Sequence, residues 1–479
     1  MTRHDFPKIY FFDQYFVDIY DKTWAWIQDC WNSGTEKEGK DCKDGISGKF
    51  FSYPKSQTVS QSDAIYSSFF LVYSNRIYQA TPTLDIFYER QEPNGAIRCA
   101  YDIATGKPVM DKDNAEGLGI PLFAWAEYNI YHKSANKKRV KDVLAVLHKY
   151  TKWIDKAFKK PNGLYKVPLS VTGMINSPRE GAYYSLDFNS MMAINALYMS
   201  AMADILNDKN ASFQYKKEYY ALKSKINSLM WDPEDGFYYD INRSEQRIKV
   251  KTIAGYWPLL AEIPNEEKAD TIINKLSDPD FFGSAHPFPS LSLSEKYFDE
   301  NGKGYHGSVY PHLNFMVIKG LERYQQWHLA RDCAIRHLYY ILDSMNPDGS
   351  HKGNLWEAYM PTKEGPAKWH GKPDFPRAKY LAYDALSTIC LMIENIIGLF
   401  ISLPRKTVDW IIPNLEMMGV ENLSLKKNMI TIVLKKNGRG WGIHMESEKL
   451  YYFTINILND KKKTLPIPSG KCSILIDKL

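Results

Sequence analysis

One carboxylate in this sequence stands in surroundings that suit sugar chemistry. Glu357 lies between Trp356 and Tyr359, and aromatic faces of this kind are surfaces on which sugar rings can stack. The turn at residues 346–349 ends the preceding helical pattern, and residues 361–376 are too rich in proline, glycine and lysine for a packed helix. We therefore expect Glu357 on a short ordered segment at the mouth of a cavity. The structural alternative is a half-buried glutamate paired with a nearby lysine or arginine.

Three further stretches concentrate polar, aromatic and glycine residues beside apolar helical patterns. They are residues 60–63 together with 89–95, residues 172–180, and residues 305–312. Glycine, proline and asparagine often mark turns and nothing more. Because all four stretches fall at the start or end of a predicted inner helix, we expect them to converge at one end of the fold.

Helical periodicity dominates the chain up to about residue 400. Apolar residues recur at intervals of three and four over residues 143–158, which predicts one apolar helix face. Residues 188–206 are apolar nearly all round, which predicts an inner helix, and residues 381–399 predict another long helix with few charges. Residues 315–324 and 333–342 predict a helical hairpin. Many helices with long loops favour a mainly α fold of the α/α toroid type.

The pattern changes near Leu403, where alternating and apolar runs replace the helical periodicity. Strands are predicted at residues 428–434, 441–446, 450–457 and 472–476, with turns at 437–440 and 459–461. We predict two domains: a toroid over residues 1–402 and a small antiparallel, sandwich-like β-domain over residues 403–479.

Composition and charge exclude several functions. The net charge of +6 comes from scattered lysines, so no nucleic-acid partner is expected. The six cysteines show no CxxC spacing and no histidine companions, so neither a metal site nor a cofactor is expected. Cys30 and Cys42 are candidates for a bridge across a loop, whereas Cys333 and Cys390 lie in apolar helical patterns and predict core positions.

Targeting signals are equally sparse. No apolar run approaches the length of a membrane span. No signal peptide is visible at the first residues. We therefore expect a cytoplasmic protein, or a periplasmic or secreted one if a leader has been removed. The aromatic share of 14% suits a protein that stacks on sugar rings, and it also suits a large helical core.

Taken in order, the loops resemble those of the clan of (α/α)6-barrel inverting glycoside hydrolases, which includes trehalases, family 63 α-glucosidases and mannosylglycerate hydrolases. The clan segment Phe-Tyr/Trp-Glu-x-Tyr-x-Pro is matched at residues 355–361, and Ser-Gly-Met/Trp-Asp-x-Ser-Pro-Arg at 172–179. Further matches lie at residues 62–63, 91–95, 187–189, 231–239 and, in altered form, 305–311. The resemblance covers roughly residues 50–400 and implies an (α/α)6 toroid that acts on a carbohydrate.

Inverting glycosidases use two carboxyl groups. One protonates the leaving oxygen, and the other activates a water on the opposite face of the sugar. The resemblance implies that Glu357 is the general base and that the substrate is an α-linked glycoside within an oligo- or polysaccharide. We expect substrate contacts from Asp63, Gln91, Asn94, Trp125, Asn176, Arg179, Trp257, His306, Tyr310 and Trp356.

One position departs from the clan. The clan's general-acid aspartate corresponds here to Ile175, and isoleucine has no proton to give. Loss of acid assistance costs about 10²–10⁴-fold in rate. Glu180 is the first candidate for a relocated acid, and Asp187 is the next, although Asp187 also suits a helix cap. A substrate whose leaving group needs little protonation, or His306 as donor, are the other ways to keep hydrolysis.

Two alternatives to a glycosidase remain. An α/α toroid also supports polysaccharide lyase chemistry, for which Tyr305, His306, Tyr310 and His312 offer candidate bases. A glycan-binding protein without hydrolytic activity would also explain the lost acid. In each case we expect a monomer.

Overall fold

The structure is a computed structural model, and it describes residues 6–34, 45–74, 77–345, 353–425, 428–448, 451–457, 461–467 and 469–476. The predicted turn at 346–349, part of the turn at 459–461, and Cys42 of the suggested bridge lie outside the described residues.

Helices alternate between an outer and an inner layer of a toroid. The outer layer holds α1 Gln14–Cys30, α3 Pro82–Glu89, α5 Lys137–Phe158, α7 Lys209–Leu229, α9 Glu266–Ser277 and α11 Trp327–Met345. The inner layer holds α2 Gln61–Leu71, α4 Phe123–Ser134, α6 Leu186–Ile205, α8 Trp257–Leu260, α10 Pro311–Arg323 and α12 Leu381–Ala385. A π-helix, Leu386–Ile396, continues α12.

The inner helices close into a ring. Each contacts the next along the chain, and α12 contacts α2. The predicted mainly α, (α/α)6 toroid is confirmed. Helix α6 is buried nearly all round because it is enclosed by neighbours, whereas α5 buries one face. That face holds the predicted Val143, Leu147, Tyr150, Ile154 and Phe158 together with Val140, Leu144 and Trp153.

Connections of very different length lie at the two ends of the ring. An inner helix leads to the next outer helix through two or three residues at 135–136, 206–208 and 324–326. An outer helix leads to the next inner helix through long stretches at 90–122, 159–185, 230–256 and 278–310. Because consecutive helices run in opposite directions, the long connections all meet at the N-terminal end of the inner helices.

Residues from 399 onward form two sheets. The strands are β8 Leu399–Ser402, β9 Thr407–Ile412, β10 Met418–Leu425, β11 Asn428–Asn437, β12 Gly440–Ser447, β13 Tyr451–Ile457, β14 Lys461–Ile467 and β15 Gly470–Ile476. A chain-terminal strand, β1 Lys8–Phe11, completes the antiparallel sheet β1-β10-β11-β12-β15. The second sheet has the order β14-β13-β9-β8, in which β13 runs parallel to β9.

Short strand pairs brace the long connections. They are β2 Trp31–Gly34 with β3 Ser47–Phe51, β4 Thr58–Ser60 with β5 Ala100–Asp102, and β6 Trp231–Asp232 with β7 Phe237–Tyr238.

Three local expectations concern the ends of elements, and one of them, the end of the last helix, differs from the structure. The stretch at 60–63 is the start of α2, because the Ser60 hydroxyl caps the helix by accepting from the amide of Asp63. The predicted helix over 381–399 ends at Ile396. Gly398 then turns into β8 with a φ of +89°, where a side chain would collide with the carbonyl of Ile411. The domain boundary between residues 402 and 403 stays a prediction. Strand β8 lies before this boundary, and strand β1, which also lies before it in sequence, pairs with β10 on the other side.

Candidate active site

A cavity of about 660 Å³ opens at the end of the toroid where long connections meet. The connections before α6, α10 and α12 supply its walls, together with α12 itself. The lining residues are Gly173, Ile175, Tyr305, Tyr310, Glu357, Trp369, Gly371, Lys372, Pro373, Asp374, Phe375, Arg377 and Tyr383. Of the predicted site residues, Glu357 and Tyr310 lie here, and so does Ile175.

Glu357 is fixed by Arg377 on both its backbone and its side chain. The Nη2 of Arg377 donates to Oε1 at 2.7 Å, and its Nε donates to Oε2 at 2.8 Å. The backbone amide of Arg377 also donates to Oε2 at 3.2 Å, and the amide of Glu357 donates to the carbonyl of Arg377 at 2.9 Å. A bidentate guanidinium pair is among the strongest and most directional of polar contacts. The carboxylate therefore has one defined orientation in the cavity wall.

Arg377 is itself stabilised in its charged form. Burial lowers the pKa of Arg377, but the hydrogen bond and charge of Glu357 outweigh burial, and the net shift is upward. Its guanidinium lies 3.6 Å from the centroid of the Tyr380 ring, which adds a cation–π contact. The prediction of a half-buried glutamate paired with an arginine and the prediction of a cavity carboxylate are thus both fulfilled by the same residue.

Aromatic rings form the apolar part of the cavity. Tyr305 and Tyr310 are stacked, with ring centroids 4.4 Å apart and an interplanar angle of 12°. Trp369 meets Phe375 edge-on with centroids 5.7 Å apart. Burial, followed by neighbouring phenol and carboxylate charges, raises the pKa values of Tyr305 and Tyr310 well above the usual range. Both phenols stay protonated and act as hydrogen-bond donors.

Asp63 lies beneath this wall and does not line the cavity. The hydroxyl of Tyr380 donates to its Oδ1 at 2.6 Å, and its side chain is buried. Burial is the main reason that its pKa rises to about 6, and the nearby charge of Glu357 adds to the increase. Asp63 therefore bonds to Tyr380 below the cavity, and this burial does not fit its predicted contact with a sugar hydroxyl.

The connection at 172–180 has a buried ionic anchor. Arg179 is only 1% exposed, and its Nη1 lies 3.0 Å from Asp187 and 3.3 Å from Asp240. Its predicted role as a sugar contact does not fit this burial. Asp187 lies in the first turn of α6, where it also accepts from Thr172, so it is neither the helix cap nor a cavity acid.

Asn176 anchors the same connection to the next one. Its amide donates to the carbonyl of Lys303 and accepts from the amide of Tyr305, both at 2.8 Å. The predicted sugar contact is therefore replaced by a contact that positions Tyr305. Gly173 has a φ of +82°, a backbone conformation that favours glycine, and the Tyr305 hydroxyl lies in ordinary contact distance of it.

Other predicted residues lie away from the cavity. Gln91 ties its own turn to α5 through the carbonyls of Gly95 and Val146, and Asn94 caps the same turn by accepting from Ala96. Trp257 is 1% exposed in the core, and Trp125 lines a different cavity. These placements correct the predicted substrate contacts, since amides bound to backbone and buried rings cannot reach a ligand here.

The three remaining predicted site residues are Glu180, His306 and Trp356, and all three lie outside the cavity lining. Glu180 is exposed and does not line the cavity, so we withdraw it as the acid. His306 bonds through Nδ1 to the carbonyl of Tyr297 at 3.1 Å and is not among the lining residues. Trp356 is half-buried beside Glu357 and outside the lining, and its amide donates to the Tyr359 hydroxyl.

Sequence reasoning missed most of the segment at 369–377, which supplies seven of the lining residues. A signal is present, because this stretch combines Trp369, Asp374, Phe375 and Arg377 in the connection that enters the last inner helix. Its proline and glycine content alone indicates only that no helix forms there.

Within the described ranges, no group of three or more metal-binding side chains is close enough to hold an ion. Among the described helices, none combines the length and apolar character that a bilayer crossing requires.

Comparisons with known proteins agree with this architecture. An uncharacterized protein of Borreliella burgdorferi is 52% identical over 483 residues and covers all of both chains. The mannosylglycerate hydrolase of Thermus thermophilus is 28% identical over 142 residues, which cover 29% of this chain and 32% of that one. A crystal structure of the GH63 mannosylglycerate hydrolase from Thermus thermophilus in complex with glucose has a TM-score of 0.60 at 18% identity. That match covers 78% of this chain and 99% of that chain.

Two family descriptions match separate parts of the sequence. The sequence model of the trehalase C-terminal domain matches residues 398–479, the region of the two sheets. The sequence model of the mannosylglycerate hydrolase MGH1-like glycoside hydrolase domain matches residues 80–376, more than half of the chain and nearly all of the connections around the cavity. The chain therefore belongs to the mannosylglycerate hydrolase MGH1-like glycoside hydrolase family.

Proposed function

We propose that this protein is an inverting glycoside hydrolase in which Glu357 is the general base. The observation that carries the proposal is the fixed carboxylate of Glu357 in the wall of an aromatic-lined cavity at the end of the toroid where the long connections meet. In inverting hydrolysis, the base takes a proton from water as the water oxygen bonds to the anomeric carbon, and an acid protonates the departing oxygen. Arg377 neutralises and orients the base and is a positioning residue.

Asp374 is the proposed proton donor. Within the described residues, Glu357 and Asp374 are the carboxyl groups in the cavity lining, and Asp374 is exposed with neither a hydrogen bond nor an ion pair there. Its segment lies against the 173–176 connection, because the ring of Trp369 packs beside Gly304 next to Asn176. Asp374 on this segment and Ile175 on that connection both line the cavity. Asp374 thus takes over the role that Ile175 cannot fill.

The proposed substrate is a small α-linked glycoside. Relatives of this chain include a mannosylglycerate hydrolase, and its C-terminal region matches a trehalase domain. Mannosylglycerate and trehalose are therefore the first compounds to test. The stacked rings of Tyr305 and Tyr310 would pack against the apolar face of one sugar ring, while their hydroxyl groups donate to its oxygens.

The test compares wild type with Glu357→Gln on these two substrates, with products followed by proton NMR from the first minutes. The wild-type enzyme should release the β-anomer from an α-glycoside, and the Gln variant should lose nearly all turnover. Glu300→Gln is the matched control, because Glu300 is exposed in a surface ion pair with Lys363. If Glu357→Gln folds normally and keeps wild-type turnover, Glu357 is not the base. From trehalose, inversion gives one β-glucose and one α-glucose, because the departing sugar keeps its own α configuration. Release of α-glucose alone from trehalose, or of α-mannose from mannosylglycerate, would exclude inversion.

A glycan-binding protein without hydrolysis is the second candidate. Ile175 in the cavity lining favours it, because a hydrophobic side chain there binds a sugar face but transfers no proton. Binding of trehalose or mannosylglycerate to the wild-type protein, with no product after long incubation, would select this function.

Lyase chemistry is less favoured by the site. Burial keeps Tyr305 and Tyr310 protonated, which opposes their use as bases. Lyase activity would be identified by an unsaturated product that absorbs in the ultraviolet.

A further inference from the structure

A second cavity lies on the axis of the toroid, below the first. It has a volume of about 260 Å³ and is lined by the inner helices α2, α4, α6, α8 and α10, the π-helix after α12, and strand β8. Along α10, Tyr310 lines the first cavity and Lys319 lines the second. Nine residues of α-helix separate them by about 13 Å. The second cavity is therefore distinct from the Glu357 cavity, and β8 places it where the toroid meets the sheets.

Three aromatic rings form an apolar floor between the two cavities. The ring centroid of Phe69 lies 4.5 Å from that of Trp125 and 5.4 Å from that of Phe315. Phe315 lies between Tyr310 and Lys319 along α10. A ligand in the second cavity would thus rest on flat apolar surfaces.

One face of α4 brings an unpartnered amide donor and a buried ammonium group to this cavity. Trp125, Asn129 and Lys133 follow one another at intervals of four residues, so they lie on the same helix face, and all three line the cavity. The Nδ2 of Asn129 is buried and has no hydrogen-bond partner in the described structure. Because a buried amide donor without a partner is costly, this face is suited to a ligand that brings an acceptor.

Lys133 is the second donor. Its side chain is 7% exposed, and the carboxylate it meets among the described residues is Glu394, with Nζ 3.6 Å from Oε1. That separation is longer than an N–H···O hydrogen bond, and an ammonium group has three protons to donate. Glu394 is meanwhile held by Lys319 at 2.8 Å. Burial lowers the pKa of Lys133 by more than the charge of Glu394 raises it, and the charge of Lys319 lowers it further. An added negative charge would therefore stabilise its ammonium form.

We propose that this second cavity binds a compact organic anion, with a carboxylate or phosphate group held by Lys133 and Asn129 and a flat apolar body on the floor of Phe69, Trp125 and Phe315. The volume of about 260 Å³ fits a single six-membered ring with one substituent. This site does not depend on the proposed hydrolysis at Glu357.

The test uses three probes with the same ring and different charge. Isothermal titration of the full chain should detect binding of benzoate, phenyl phosphate or both, and no comparable binding of benzyl alcohol, which has the body without the charge. Preference between the two anions distinguishes a carboxylate ligand from a phosphate ligand. If neither anion binds, or if benzyl alcohol binds as well as they do, the proposal is overturned.

Single-residue variants show whether the anion binds in the second cavity. Lys133→Met and Asn129→Leu should each weaken binding of the preferred anion, the former by about 10- to 100-fold, which is the usual value of a charged hydrogen bond. Lys152→Met is the control, because Lys152 is an exposed lysine on the neighbouring helix α5. Glu357→Gln should leave anion binding unchanged.

Melting temperatures separate binding from folding. Should Lys133→Met fail to fold, Asn129→Leu carries the test, since it removes a donor without removing a charge. Unchanged affinity in every folded variant at positions 129 and 133 overturns the proposal, and so does an anion that loses affinity in Glu357→Gln.

Discussion

The role of Asp374 gives a sharp prediction, because loss of the acid should affect only substrates whose leaving group needs a proton, whereas loss of the base should affect every substrate. Asp374→Asn should lower turnover of trehalose or mannosylglycerate by about 10²–10⁴-fold, the usual contribution of general-acid catalysis. That range corresponds to about 2.7–5.4 kcal/mol in activation free energy. Asp374 is exposed, and within the described residues it makes no hydrogen bond or ion pair on which folding could depend. The substitution should therefore change the free energy of unfolding by less than about 0.5 kcal/mol.

The assay compares these glycosides with an α-glycosyl fluoride of the same sugar. Fluoride departs as a stable anion and needs no proton, whereas an alkoxide leaving group does. Asp374→Asn should therefore hydrolyse the fluoride within a few-fold of the wild-type rate. Glu357→Gln should fail on both substrates, because water must be activated in each case.

Restoring the acid at its expected position completes the test. Ile175 is 59% exposed in the cavity lining, so an aspartate there is readily accommodated. The double variant Asp374→Asn with Ile175→Asp should recover glycoside turnover, while Ile175→Asn in the same background should not. Equal losses on glycoside and fluoride in Asp374→Asn, or full glycoside activity in that variant, would refute Asp374 as the proton donor.

Three further predictions concern the supports of the site. Arg377→Met should reduce kcat by about 10- to 100-fold with a smaller change in KM, since it releases Glu357 without removing it; steady-state kinetics that show unchanged kcat would contradict a positioning role. The pKa of Asp63 is about 6 in the fold and about 3.9 when unfolded, so wild-type stability should fall by about 2.3 kcal/mol between pH 4 and pH 7 relative to Asp63→Asn. Urea unfolding at both pH values measures this difference, and parallel pH profiles would exclude it. Gly95→Ala should lower the free energy of unfolding by about 1–3 kcal/mol, because its φ is +94° and a Cβ would lie 2.5 Å from the carbonyl oxygen of Lys149; an unchanged urea midpoint would contradict this.

The periodicity of apolar residues and the order of the motifs are sufficient to predict the helical scaffold and one side of the candidate site. The inner helix predicted over residues 188–206 is α6, Leu186–Ile205, because an enclosed helix leaves a continuous apolar pattern in the sequence. The segment that carries Glu357 was found because its motif is local. Tyr310 was found because it enters α10 directly. Short-range patterns of this kind survive in a sequence without any knowledge of tertiary contacts.

Partners distant in sequence explain the errors. Arg179 was expected to hold a sugar, but Asp240, 61 positions further along, and Asp187 enclose it in the fold. Gln91 was assigned in the same way, and its amide is used by the carbonyls of Gly95 and Val146. A polar side chain in a matched motif has the same sequence signature whether it contacts a ligand or ties two loops together. Burial distinguishes the two cases, and burial is a property of the whole fold.

The hydrogen bonds of Glu357 decide from which direction water can attack. A carboxylate oxygen has two acceptor positions. Both positions on Oε2 are taken by the amide and the Nε of Arg377, and one on Oε1 is taken by Nη2. In the described part of the chain, Oε1 is therefore the oxygen that can accept a proton from water. Inversion requires that water to lie between Oε1 and the anomeric carbon, with the acid on the far side of the sugar. Asp374 must then face Oε1 across the bound ring, and a sugar complex in which Oε1 points away from the anomeric carbon would exclude Glu357 as the base.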